Sequence, residues 1–213
     1  MAKQIAKYIV RAAAAPMDGV LVIRPSVAGG SREYLFDPEA DSSISEFAEM
    51  GITERFVDHT EERYSRGVLR GLYFHQSAPT GTMLAAKSGR ILAVAIDMRP
   101  ESKSFGAAFS AELNDENEAM LYIPPYFAHG FMTLEAGTEV VCNYGSEYID
   151  SEMSVIIYDD EILAIDWQFE RYEIDQKYLN MTQRDKRAKS FRMYNINTLF
   201  PNRPKRSKYA IRV

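Results

Sequence analysis

The run Arg63-Tyr64-Ser65-Arg66-Gly67-Val68-Leu69-Arg70-Gly71-Leu72-Tyr73-Phe74-His75-Gln76 constrains the fold more than any other. Val68, Leu69, Leu72, Tyr73 and Phe74 favour β structure, and Gly67 and Gly71 punctuate it. Side chains alternate across a strand, so Arg70, Leu72 and Phe74 are expected on one face. Leu69, Gly71, Tyr73 and His75 are expected on the other, with Tyr73 and His75 ~6.6 Å apart. A guanidinium, a phenol and an imidazole on one short strand exceed what a core strand needs. The strand reads either as an aromatic edge with solvated ends or as the wall of a site, with Arg63 and Arg70 as candidate anion-binding groups.

The flanking sequence continues in short β-like runs. Residues 19–23 read as a buried strand ended by Arg24-Pro25, and Tyr34 to Phe36 as a second one after the Gly29-Gly30-Ser31 loop. Residues 42–50 predict a short helix, capped by Ser42 or Ser43 and closed by Gly51. Phe56-Val57 begins another strand. Residues 91–99 are almost continuously apolar, the mark of a strand covered on both faces. Strands are also expected at 105–113, 118–123, 139–144 and 153–158. Many short strands separated by turns predict a sandwich or barrel.

Composition agrees and excludes alternatives. A chain of 213 residues suffices for one domain with a sizeable core. With 13 Tyr and 11 Phe it suits a β-rich domain better than a helical bundle. A net charge of −5 argues against a nucleic-acid partner. A lone cysteine rules out an internal disulfide and fits a reducing, cytoplasmic setting. No apolar run approaches the ~20 residues of a membrane helix, so no membrane partner is expected. Lys7 and Arg11 interrupt any signal-like core, and residues 1–16 read as an extra helix ending before Pro16 or as a frayed end. The chain holds only His59, His75 and His129, without H-x-H spacing, so neither a metal nor another cofactor is expected.

A second motif, Ile123-Pro124-Pro125-Tyr126-Phe127-Ala128-His129-Gly130-Phe131, joins the first. Together with Ile165-Asp166-Trp167, Asp18 to Ile23, Val94 to Arg99 and Ser104-Phe105-Gly106, they resemble the dTDP-4-dehydrorhamnose 3,5-epimerase family, in order, from about residue 17 to 192. The resemblance implies a mainly β, cupin-type jelly roll with a few short helices. It divides the chain into an N-terminal extension (1–16), the epimerase-like domain (17–192) and a basic tail (193–213). It also implies a nucleotide-diphosphate sugar as ligand and a homodimer in which Arg32 reaches the neighbouring pocket.

Family enzymes remove a proton beside a sugar ketone with an Asp-oriented histidine, return one with a tyrosine on the opposite face, and steady the enolate with a lysine. By resemblance the base falls on Tyr73, the lysine on Thr82, the proton-returning tyrosine on Cys142 and the orienting acid on Asp185. Arg32, Arg70, His129 and the base-packing Tyr148 match ligand-binding positions, Asp37 stands where an acid would be, and Asp58 to Glu62 replace substrate-contacting amides. A phenol has an ordinary pKa near 10 and is a poor base at neutral pH. His75, two residues past Tyr73, and Tyr144, two past Cys142, are the candidates for restoring the missing groups; otherwise His75 is a hydrogen-bonded rim histidine. Two readings follow. One is an isomerase of a nucleotide-linked 4-keto-6-deoxy sugar with a non-standard base. The other is an inactive relative that binds a nucleotide sugar or a partner subunit.

Overall fold

The computed structural model describes residues 2–5, 8–12, 17–25, 47–76, 78–194 and 200. Among them are twelve strands: β1 (Ala2–Ile5), β2 (Tyr8–Ala12), β3 (Leu21–Pro25), β4 (Asp58–Tyr64), β5 (Leu69–His75), β6 (Thr82–Ser88), β7 (Arg90–Asp97), β8 (Ala108–Asn114), β9 (Met120–Ile123), β10 (Phe127–Thr133), β11 (Thr138–Tyr144) and β12 (Met153–Val155). They form a seven-stranded sheet ordered β1-β2-β3-β9-β6-β11-β4 and a five-stranded sheet ordered β12-β5-β10-β7-β8. All the strand pairs are antiparallel. This is the jelly roll that the resemblance implies.

Three apolar layers hold the sandwich. Leu84, Ala93, Leu121, Phe131 and Val140 come from both sheets and fill the space between them. Leu69, Leu72, Phe74, Leu92 and Val94 cover the outer face of the five-stranded sheet, under Leu163, Trp167 and Phe191. Ile23, Met83 and Tyr122 meet Phe47 and Ile52 on the outer face of the larger sheet. Strand β7 shows why its sequence is continuously apolar. Ile91, Ala93 and Ala95 face the partner sheet, while Leu92, Val94 and Ile96 face the outer cover.

Several expectations are corrected. Residues 2–5 and 8–12 are strands, not helix, and β2 pairs with β3 in the register Val10↔Ile23. β2 lies between β1 and β3, and the Tyr8 ring is buried against the outer cluster beside Ile23, which helical propensity does not anticipate. The strand expected at 153–158 stops at Val155, and Ile156 instead makes a parallel bridge with Lys189. Of the expected helix at 42–50, Phe47 to Glu49 are helical and Gly51 ends the turn at φ +85°. The rest of that helix, the strand at 34–36, Arg32, Asp37 and the tail beyond residue 200 lie outside the described residues. Phe200 itself is buried, edge-on to Tyr126 at 5.0 Å and Phe74 at 6.3 Å.

The most consequential correction concerns β5. Arg70 does not share a face with Leu72 and Phe74. The β5–β10 register shifts between His129 and Gly130, opposite Gly71, whose φ is +100°. A Cβ on Gly71 would stand 2.6 Å from the His129 carbonyl oxygen, so glycine is required there. The irregularity resets the alternation. Leu69, Leu72 and Phe74 go to the outer layer, and Arg70 joins Tyr73 between the sheets.

Candidate active site

Between the two sheets lies a cavity of about 240 Å³. The seven-stranded sheet supplies Thr60, Glu62 and Tyr64 from β4 and Cys142 and Tyr144 from β11. The five-stranded sheet supplies Arg70 and Tyr73 from β5 and His129, Gly130 and Phe131 from β10, and Tyr148, Asp150 and Thr182 complete the lining. A larger depression over residues 159–176 is broad, open and edged by Asp159, Glu161, Asp166, Glu170 and Glu173, with no comparable convergence of donors and acceptors. The smaller, more enclosed space is the candidate site.

Tyr73 and Asp185 form its most ordered pair. The Tyr73 hydroxyl donates to Asp185 Oδ1 at 2.7 Å. Asp185 is fully buried, in the short helix Gln183–Lys186. Its other oxygen accepts from the Thr182 hydroxyl at 2.7 Å, and Thr182 Oγ1 in turn accepts from the Asp185 backbone N–H, an N-cap that fixes the carboxylate. The Arg70 guanidinium stands 4.0 Å from Asp185 and over the Tyr64 ring. Burial, and then the Asp185 charge, hold the Tyr73 pKa well above the ordinary phenol value. Tyr73 is therefore a protonated donor at neutral pH. Any phenol is protonated at that pH; what the carboxylate behind Tyr73 adds is the direction of its hydroxyl proton.

His129 pairs with Tyr73 across the β10–β5 ladder. It is buried, and that burial pushes its pKa down to about 4, so the ring is neutral at physiological pH. On the opposite wall, burial pushes the Cys142 thiol up to about 12 and raises Tyr144 as well, so neither is an anion at neutral pH. Tyr144 stacks on Tyr148, with centroids 4.8 Å apart and planes inclined by 24°. The Tyr148 hydroxyl donates to Asp150 at 3.1 Å, and Arg184 pairs with the same carboxylate oxygen at 2.6 Å while lying over the Tyr73 ring. The mouth is thus an aromatic platform beside a guanidinium.

The sequence candidates divide cleanly. Tyr73, Arg70, His129, Cys142, Tyr144 and Tyr148 line the cavity, and Asp185 sits directly behind Tyr73. Arg63, His75 and Thr82 do not line it. Arg63 is on the opposite face of β4 from Glu62 and Tyr64, and its Nε donates to the Gly137 carbonyl at 3.2 Å. Thr82 is buried in β6, paired with Tyr144 and Ile123. His75 is buried beside β12, paired with Met153, and its Nε2 has no hydrogen-bond partner among the described residues, so it is not the hydrogen-bonded rim histidine expected. Burial lowers its pKa. Sequence reasoning assigned no individual role to Thr60, Glu62, Tyr64, Asp150, Thr182 or Arg184; Thr60 and Glu62 entered only within the 58–62 stretch that replaces substrate-contacting amides. For the first three a signal existed: they alternate along β4, and period two places them on one face.

Comparisons with known proteins bear on this geometry. A family model described as dTDP-4-dehydrorhamnose 3,5-epimerase matches residues 14–193. The chain is similar to that enzyme from Methanothermobacter thermautotrophicus, 36% identical over 156 residues, covering 72% of this chain and 82% of the relative. It is also similar to the one from Pseudomonas aeruginosa, 28% identical and covering 81% and 91%. Among solved structures, the Legionella pneumophila dTDP-6-deoxy-D-glucose-3,5-epimerase in complex with dTDP-4-keto-L-rhamnose superposes with a TM-score of 0.74 at 28% identity, covering 87% and 94%. The Mycobacterium tuberculosis epimerase gives 0.75 at 28%, covering 90% and 92%. Sequence and architecture agree over nearly the whole domain, and the chain belongs to the dTDP-4-dehydrorhamnose 3,5-epimerase family.

Proposed function

We propose that the protein is an isomerase of a nucleotide-diphosphate-linked 4-keto-6-deoxy sugar, inverting a carbon next to the ketone by removing a proton from one face and returning one to the other. The observation that carries this reading is the Tyr73–Asp185 hydrogen bond at 2.7 Å on the wall of the enclosed cavity. A ketone makes the adjacent C–H acidic, and the reaction needs a base, a donor across the ring and positive charge near the developing oxyanion. Tyr73 is the donor, held by Asp185. Arg70 supplies the positive charge between the sheets, and arginine is well suited to phosphate and oxyanion contacts. His129, neutral, offers a hydrogen bond to the bound sugar. Tyr148, stacked on Tyr144 at the mouth, offers a face to a nucleotide base.

The cavity is smaller than the ~300–1,000 Å³ of typical drug-sized pockets, so one sugar ring enters and the nucleotide remains outside. No helix among the described residues is long and apolar enough to cross a membrane. A homodimer and a cytoplasmic setting complete the proposal, the first checked by light scattering after size-exclusion chromatography and the second by cell fractionation. The function itself is tested by incubating the protein with dTDP-4-keto-6-deoxy-D-glucose and following the sugar signals by ¹H NMR. Appearance of an epimer at a carbon flanking the ketone supports the reading. Binding of dTDP without any change in the sugar refutes it and leaves a nucleotide-sugar-binding protein.

A further inference from the structure

Any inversion between these two sheets needs an acceptor and a donor on opposite walls. The five-stranded wall holds Tyr73, whose hydroxyl already points its proton at Asp185. His129 lies on the same wall, next to Tyr73 in the ladder, so the two address the same face of a ring placed between the sheets. Asp185 is fully buried behind Tyr73 and has no access to the ring. The acceptor must therefore come from the seven-stranded wall. There, Cys142 and Tyr144 are protonated for the reasons of burial given above. Thr60 is an ordinary hydroxyl. Asp150 is at the mouth, held by Arg184 at 2.6 Å and by the Tyr148 hydroxyl at 3.1 Å.

One group remains. Glu62 lines the cavity from β4, and the Tyr64 hydroxyl donates to its Oε2. Its Oε1 has no hydrogen-bond or ion-pair partner among the described residues. Tyr64 is itself fixed, packed edge-on against Phe131 at 5.5 Å and lying under Arg70 at 5.2 Å. The arrangement is that of an oriented general base: a partly solvated carboxylate on the cavity wall, one oxygen tied to a placed donor and the other without a partner among the described residues.

We infer that Glu62 is the base of the isomerisation proposed above and Tyr73 its acid, so the proton leaves toward the seven-stranded wall and returns from the five-stranded one. This rests on the isomerase reading. The Glu62 carboxylate takes the proton from the carbon beside the ketone, and the C–H electron pair becomes the enolate, its charge on the ketone oxygen. The Tyr73 hydroxyl then turns its single proton from Asp185 toward that carbon and protonates it from the opposite face, breaking its O–H bond as the C–H bond forms. The resulting phenolate regains a proton from water, and the Glu62 carboxylic acid loses its proton to water. The assignment places base and acid on walls the reverse of those expected from the position of the family histidine at residue 73.

Deuterium wash-in read separately from inversion tests it. In D₂O, with dTDP-4-keto-6-deoxy-D-glucose, NMR reports both the loss of the α-proton and the formation of the epimer. The Tyr73→Phe variant keeps deuterium wash-in within about tenfold of the unsubstituted protein but loses inversion by about 100-fold or more, because a base without its acid returns the proton to the original face. Glu62→Gln loses both by about 100-fold or more, with dTDP affinity unchanged, and Glu62→Asp recovers part of both. Exchange that survives Glu62→Gln, or wash-in that disappears in Tyr73→Phe while Glu62→Gln retains it, overturns the assignment but leaves the isomerase reading standing. Absence of exchange in the unsubstituted protein removes both.

Discussion

His129 links the buried site to acid stability. Burial pushes its pKa down to about 4 from an ordinary 6.5, so the native ring stays neutral where the unfolded ring is charged. The unfolded state therefore binds the extra proton as pH falls through 6.5, and stability rises with pH between about 4 and 6.5. At ~1.4 kcal/mol per pH unit of displacement, the full gap corresponds to about 3 kcal/mol, lost by the time the pH reaches 4. The contribution is flat above about pH 7. Many carboxylates also titrate in this window, so the prediction is a difference. Unfolding free energies from urea titrations at pH 4.5, 5.5, 6.5 and 7.5 should fall less steeply with acid in His129→Gln than in the unsubstituted protein, with the curves converging by about 2–3 kcal/mol toward the acid end. Parallel curves would refute the buried neutral imidazole. So would an imidazole titration by NMR with its midpoint near 6.5.

Other perturbations probe the remaining parts of the site. Gly71→Ala places a Cβ 2.6 Å from a backbone oxygen at a residue with φ +100°; a loss of about 2–4 kcal/mol is expected by thermal and urea denaturation. Thr182→Val removes both the N-cap and a donor to buried Asp185, and should lower stability by about 1–3 kcal/mol, with Thr182→Ser recovering most of it. Tyr148→Ala removes one face of the Tyr144 stack, and dTDP affinity measured by calorimetry should weaken by about three- to tenfold.

The fold was largely legible because its strongest signals are local. The continuous apolar run of β7 announced a strand with two covered faces, and the short β-like runs at 105–113, 118–123 and 139–144 with the turns between them announced a sandwich or barrel. What failed depended on tertiary partners. Tyr8, Ile9 and Val10 belong to a strand only because the edge of β3 is there to receive β2. The face assignment of Arg70 failed because period two holds only along an unbroken ladder, and the register shift opposite Gly71 breaks it. Tyr73 and Asp185, 112 residues apart, were paired by resemblance alone; their hydrogen bond required the structure. Glu62, reached only as part of a stretch that replaces substrate-contacting amides, was given no role of its own for a related reason. A glutamate on an exposed-looking strand carries no mark of a cavity until β4 is seen to pair with β11 along the rim of the larger sheet. His75 illustrates the converse: a histidine in a suggestive position, two residues past a site residue, is not thereby in the site.

The central claim is that a member of this family with Tyr73, Thr82 and Cys142 at its proton-handling positions still moves protons at carbon. The most direct measurement is deuterium incorporation into dTDP-4-keto-6-deoxy-D-glucose in D₂O by the unsubstituted protein, followed by NMR at the two carbons flanking the ketone. The account predicts protein-dependent loss of proton signal at one or both of those carbons, well above the rate without protein. Signals that persist at the uncatalysed rate, while dTDP saturates the protein in a parallel binding titration, would contradict it.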